Sequence, residues 1–147
     1  MEEKITQLIR SLNIIFWGNF LSSILTGILI ILLMPHNVIG AQFSINLQSV
    51  AILILLGCVP LALWLYHKKL ISETLPDDME QGIALIRKWF IIRLALVEFA
   101  LLFNVIIYSL TKNSSFLYCC GIILMIFLFL CRPNRNEIVH ILSKNDL

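Results

Sequence analysis

Charged residues are scarce in this sequence, and motifs for catalysis or metal binding are missing. Only 14% of its 147 residues are charged, against about 25% in soluble domains. It has no C-x-x-C spacing, zinc-binding pattern, phosphate-binding loop or serine-hydrolase elbow, and its three histidines are scattered. Its basic residues flank apolar stretches instead of forming a patch suited to nucleic acid. We therefore predict a non-enzymatic protein without a cofactor or bound metal, and without a nucleic-acid partner.

Long apolar stretches make up most of the chain. Hydrophobic residues account for 59% of it, and the mean hydropathy is +0.91. Such a composition is typical of an integral membrane protein. Four stretches are long enough, or nearly so, to cross a bilayer: 12–34, 50–66, 89–108 and 115–131. We predict an all-α membrane protein in which residues 1–147 form a single polytopic domain, a four-helix transmembrane bundle with short amphipathic extensions.

The placement of basic residues predicts the orientation of the bundle. Ten of the eleven Lys and Arg residues precede the first span, lie between the second and third or near the third's start, or follow the fourth. Lys112 stands alone between the third and fourth spans. Because cytoplasmic segments are enriched in Lys and Arg, both termini are predicted to be cytoplasmic, in a multi-pass protein of the inner (cytoplasmic) cell membrane.

The third span, residues 89–108, carries charge inside an apolar stretch. Trp89 and Tyr108 stand at its ends, where aromatic side chains mark lipid–water interfaces. Arg93 is close enough to Trp89 to extend its guanidinium back to the interface, so we interpret all three as interfacial anchors. Glu98 lies roughly 14 Å past Trp89, near the middle of the bilayer. A carboxylate at this depth is costly unless it is protonated, paired or turned towards a polar interior.

Polar residues in the first two spans fall near the depth of Glu98. On span one, Asn19, Ser22, Ser23 and Thr26 are spaced so that they share one side of a helix. Such stripes commonly serve helix packing and interhelical hydrogen bonds. Pro60 removes a backbone donor near the middle of span two and favours a kink there. The sequence predicts an intramembrane polar cluster of these residues with Glu98, whose partners are expected on span one.

Amphipathic segments flank the spans on the predicted cytoplasmic side. Residues 2–11 and 79–88 place apolar side chains at helical spacing and lead into spans one and three. Residues 134–143 form an amphipathic tail that can lie on the inner leaflet or dock on a partner. On the other side, residues 35–49 contain no Lys, Arg, Asp or Glu, and within them Phe43, Ile45 and Leu47 alternate with polar residues, which favours a partly extended segment.

A weak internal repeat is visible at a constant offset of 77 residues. Six identities relate the first amphipathic lead-in and early span one to their counterparts before span three. They are Glu3/Glu80, Leu8/Leu85, Ile9/Ile86, Arg10/Arg87, Ile14/Ile91 and Ile15/Ile92. In so apolar a stretch these matches can also arise by chance. If they reflect a repeat, the bundle consists of two parallel hairpins.

These patterns favour a protein that acts through contacts, such as an accessory, assembly or immunity-type protein. Its predicted partners are the lipid bilayer and either another membrane protein or further copies of itself. A small transporter or ion-conducting oligomer that uses Glu98 is the main alternative. A membrane enzyme that uses Glu98 or the adjacent Cys119 and Cys120 is a third.

Overall fold

The computed structural model of the chain describes residues 2–33, 41–72 and 79–143, and these residues are helical apart from 112–113 and 131–134. Pro35 follows the first predicted span directly, where we expect the helix to end because proline cannot continue it, and it lies outside the described residues. A π-helical turn, Lys68–Ser72, follows the second helix. The five α-helices are α1 (Glu2–Leu33), α2 (Ala41–His67), α3 (Met79–Thr111), α4 (Ser114–Leu130) and α5 (Arg135–Ser143).

Three of these helices are long and apolar enough to cross a membrane. They are α1, α2 and α3, with 32, 27 and 33 residues. The 17 residues of α4 are nearly all apolar. Helices α4 and α5 are bent by 55° relative to each other, and together they are long and apolar enough to form a fourth span. Large apolar side chains such as Leu25 and Phe129 are more than two-thirds exposed on the outer surface. Such a surface suits a lipid environment better than water.

Helix α3 is the centre of the structure, because α1, α2 and α4 all pack against it. Helix α1 runs parallel to α3, as successive contacts show: Ser23 meets Glu98 and, one turn further on, Gly27 lies beneath Val105. Helices α2 and α4 run antiparallel to α3. The buried core accordingly follows the full length of α3.

The expectation of two parallel hairpins is wrong for the first pair of helices. Helix α2 packs against α3 and α4 and has no comparable interface with α1. The residues matched at the offset of 77 lie in α1 and α3. The similarity therefore relates two parallel helices that pack on each other, rather than two hairpins.

The segment before the second span is helical, which corrects the expectation of an extended conformation over residues 41–49. Helix α2 begins at Ala41, well before the apolar stretch. Leu47 and Ala51, one helical turn apart, both pack in a small cluster with Ile107 and Phe116. The helical spacing of Leu47 and Ala51 prevails over the local alternation of apolar and polar residues, because extending an existing helix costs less free energy than starting a strand without a partner.

The amphipathic segments pack on one another at one end of the bundle. Ile138 and Ile141 of α5 are buried in the same core as Leu8 of α1 and Ile86 of α3. At the surface, Nζ of Lys4 lies 3.2 Å from a carboxylate oxygen of Glu80. The three amphipathic segments therefore form a small helical cap. The tail docks on its own chain here instead of standing free.

Candidate functional site

The carboxylate of Glu98 accepts a hydrogen bond from a side chain of α1. Oγ of Ser23 lies 2.9 Å from Oε1 of Glu98 and 2.8 Å from the backbone oxygen of Asn19, so this hydroxyl is shared between two acceptors. Ser23 itself is buried, with 1% of its surface exposed, whereas Glu98 is only half-buried. The interhelical contact thus satisfies one carboxylate oxygen and leaves the side chain near the edge of the α1–α3 interface.

The other residues of the predicted polar cluster are divided between several environments. Asn19 and Thr26 are half-buried, and Ser22 and Pro60 are exposed. Nδ2 of Asn19 is buried and has no acceptor among the described residues. The structure brings Ser23 to Glu98 and Asn19 close to Ser23. It leaves Pro60 on the outer surface of α2, away from any shared polar centre.

Two sides of α1 can be distinguished around Ser23. Ile24, Gly27 and Ile28 line a cleft of about 150 Å³ that α1 shares with α3 and α4. In a helix, Ser22 and Thr26 lie on the opposite side of Ser23 from these residues. The remaining polar residues of the stripe therefore face away from α4, towards the part of α3 that α2 and α4 leave open.

This open face of α3 lies between α1 and α2. It carries Ile91, Ala95 and Phe99, all exposed, and Phe99 exposes 57% of its surface. Glu98 stands at the border where this face meets α1. Towards the cap, a depression of about 340 Å³ continues between α1 and α3, lined by Lys4, Gln7, Leu8, Ser11, Glu80, Ile83 and Arg87. We call the surface formed by Ser11 and Ser22 of α1 with Ile91, Ala95, Glu98 and Phe99 of α3 the α1–α3 groove.

Arg93 is buried between helices, and its side chain is not extended along the surface of α3 as predicted for a snorkelling anchor. Its side chain is 3% exposed, and its guanidinium lies over the rings of Tyr66 and Phe90, 4.0 and 5.2 Å from their centroids. Nη2 donates a 2.9 Å hydrogen bond to the backbone oxygen of Cys131. The faces of the two aromatic rings and the carbonyl oxygen of Cys131 stabilise the guanidinium in this buried position.

The partners of Arg93 were missed because each belongs to another helix. Helix α4 ends before Pro133, so Cys131 and its neighbours present carbonyl groups without intrahelical donors. Tyr66 lies in the last turn of α2. The sequence signal for this site would have been a combination of three features: an arginine early in one span, an aromatic residue late in the preceding span, and a helix end before proline. Sequence spacing alone does not show which of these residues meet.

The other polar and interfacial residues singled out on α3 differ in how deeply they are buried. Asn104 is fully buried, and its Nδ2 donates to the backbone oxygen of Ala100 at 2.9 Å. Trp89 and Tyr108, at the two ends of the predicted span, are half-buried. Nζ of Lys112 lies 5.5 Å from the Tyr108 ring centroid. Arg93 and Asn104 thus face the interior, while Glu98 borders the open face.

The described residues contain no group of His, Cys, Asp and Glu that is arranged to hold a metal ion. The four cysteines are free thiols, with Cys120 and Cys131 buried. The chemistry available at Glu98 is therefore that of an acceptor: it can bind a hydrogen-bond donor or a cation approaching from the open face. No protein-family model matches the chain, and neither a curated protein nor a solved structure is significantly similar to it.

Proposed function

We propose that this protein is a four-helix transmembrane protein of the inner cell membrane that acts by binding another membrane protein, as an accessory, assembly or immunity-type factor. Both termini and the helical cap then face the cytoplasm, in agreement with the distribution of basic residues. The observation that carries this proposal is the open face of the central helix. Helix α3 is covered by α1, α2 and α4, yet one side remains exposed and carries the carboxylate of Glu98 at its border.

The free-energy cost of exposing a carboxyl group to lipid explains why this open face favours a protein partner. A carboxyl group near the middle of a bilayer costs about 2.5–3.5 kcal/mol on insertion scales, and polar residues in spans usually face other protein. Ser23 supplies one hydrogen bond to Glu98. A helix packed over the open face would remove the rest of the side chain from lipid and add a second bond.

The alternative function is a small transporter or ion-conducting oligomer in which Glu98 binds the transported ion. The position of an acidic side chain in the middle of α3 favours it. The cleft that reaches Ser23 gives this alternative no support, because it lies on the α4 side, its lining is almost entirely apolar, and Glu98 is not among the lining residues. We therefore place the interaction role first.

Purification tests the interaction role most directly. The protein would be extracted from its native host in a mild detergent and examined by native mass spectrometry. A second membrane protein at fixed stoichiometry is the expected result, and a wild-type protein that is recovered alone would contradict the proposal.

Liposome measurements test the alternative. Purified protein would be reconstituted, and flux driven by a pH gradient would be compared between wild type and Glu98→Gln. Flux that is present in the wild type and lost in the variant would establish transport and overturn the interaction role. Equal flux in both, or none in either, would remove Glu98 as a transport site.

A further inference from the structure

We infer that the α1–α3 groove binds a single transmembrane helix of a different protein, and that this helix carries a Lys or Arg side chain that pairs with Glu98. This inference rests on the proposed interaction role and specifies its surface and the chemistry of its partner. Three observations carry it: the shape of the groove, the one-sided hydrogen bonding of Glu98, and the positions of basic residues in this chain.

The groove is shaped to let another helix approach closely. Its walls carry the small residues Ser11 and Ser22 on α1 and Ala95 on α3. Small residues at an interface permit close approach between the backbones of membrane helices.

Glu98 provides the polar feature at the centre of this groove. Oε1 is bonded to Ser23, and no cationic side chain among the described residues lies within salt-bridge distance of the carboxylate. Ser22, the exposed neighbour of Ser23 in α1, offers a hydroxyl on the side of α1 that faces the groove. An apolar helix would fill the groove but would leave the carboxylate unpaired. A cation is therefore the complement that this surface lacks.

A second copy of this chain cannot supply that cation. Ten of its eleven Lys and Arg residues lie at or beyond the ends of the apolar stretches, far from the depth of Glu98. The remaining one, Arg93, is buried against Tyr66 and Cys131. A symmetric pairing through the groove would instead bring two Glu98 carboxylates together, which is unfavourable. The partner is therefore a different protein.

Site-specific photo-crosslinking in native membranes tests this assignment. A photoreactive amino acid would replace Ala95 in the groove or, as a matched control, Met125, which is exposed on α4. Both positions stand six residues inside the residue that marks the same end of the bundle, Trp89 or Cys131. We expect Ala95 to crosslink to one transmembrane segment of another protein, with a Lys or Arg within about one helical turn of the crosslink.

The yield of the crosslink from Ala95 also measures the contribution of the charge pairing. Glu98→Gln should lower the yield from Ala95 by at least about tenfold, because it removes the charge that the partner's cation meets. Replacing that Lys or Arg by Gln should have a similar effect, and combining both changes should add little. Folding of Glu98→Gln is checked separately by its unfolding transition.

Several outcomes would overturn the assignment. Ala95 would crosslink only to a second copy of this chain or to lipid, or it would crosslink to a segment without a basic residue. The assignment also fails if Glu98→Gln leaves the yield of the crosslink from Ala95 unchanged. If a stoichiometric partner is purified but crosslinks from Met125 and not from Ala95, the interaction role stands and the groove assignment fails. If no partner is recovered by either route, both fail.

Discussion

The guanidinium carbon of Arg93 lies 4.0 Å from the centroid of the Tyr66 ring, so the last turn of α2 is held on the first half of α3 by a cation–π contact. The same guanidinium donates to the backbone oxygen of Cys131 at the end of α4. One buried side chain therefore connects three helices at the end of the bundle that carries the cap.

We predict that Arg93 and Tyr66 are energetically coupled. Tyr66→Leu removes the aromatic face and Arg93→Met removes the cation, and the double-mutant cycle should give a coupling of about 1–2 kcal/mol, as for a desolvated cation–π pair. The free energy of unfolding in mixed detergent micelles is the measurement. Tyr66→Phe is the control and should change it little, because the ring remains. Additive effects of the two substitutions would contradict the contact.

Docking of α5 should depend on its buried isoleucines. A helix of nine residues is not stable by itself, and Ile141→Ala should weaken its packing by about 2–5 kcal/mol. We expect trypsin to cleave after Arg135 faster in this variant than in wild type. Val139→Ala is the matched control, because Val139 is 39% exposed and contributes little to the interface. Equal cleavage rates in Ile141→Ala and wild type would show that α5 is not held by this contact.

Substitution of Glu98 should have little effect on the stability of the isolated protein. In Glu98→Gln the amide oxygen can still accept from Ser23, and in Glu98→Leu the Ser23 hydroxyl retains the backbone oxygen of Asn19 as its acceptor. The free energy of unfolding should stay within about 1 kcal/mol of wild type in both. Ser23→Leu is the contrast, since added bulk at this buried position should cost about 1–3 kcal/mol. A larger loss in Glu98→Gln would assign the carboxylate a structural role.

Topology is tested by reporter fusions. Reporters placed after Leu147 or between α2 and α3 should indicate a cytoplasmic location, and those near Asn37 or Asn113 the opposite side, because basic residues concentrate at the first set of positions. The measurement is the ratio of a reporter active only in the cytoplasm to one active only outside it. An external location for the fusion after Leu147 would exclude the four-span arrangement proposed here.

Helix positions were predictable from sequence because they depend on local properties. The four apolar stretches fall within α1 to α4, apart from single residues at the ends, because hydropathy over some 20 residues is a strong signal. The start of α2 at Ala41 was not predicted. A five-residue alternation is too short to outweigh the extension of a neighbouring helix.

Contacts between helices were less predictable, because they depend on rotation and neighbour choice. Ser23 was one of two serines expected near Glu98, and the helical period alone could not decide between it and Ser22. Arg93 was expected to extend its guanidinium back to the lipid–water interface, because its sequence position permits snorkelling. Its burial depends on Tyr66 and Cys131, which only the packing of α2 and α4 brings to it.

The packing of α5 against α1 has a consequence for synthesis of the protein. Leu8 belongs to a segment that leaves the ribosome early, whereas Ile138 and Ile141, which share its core, are made more than a hundred residues later. Until α5 is made, the side chains of Leu8 and, once α3 is made, of Ile86 lack its cover at this end of the bundle. A chain interrupted before α5 keeps them uncovered permanently, which makes it recognisable to quality-control proteases even when its membrane-inserted portion is complete.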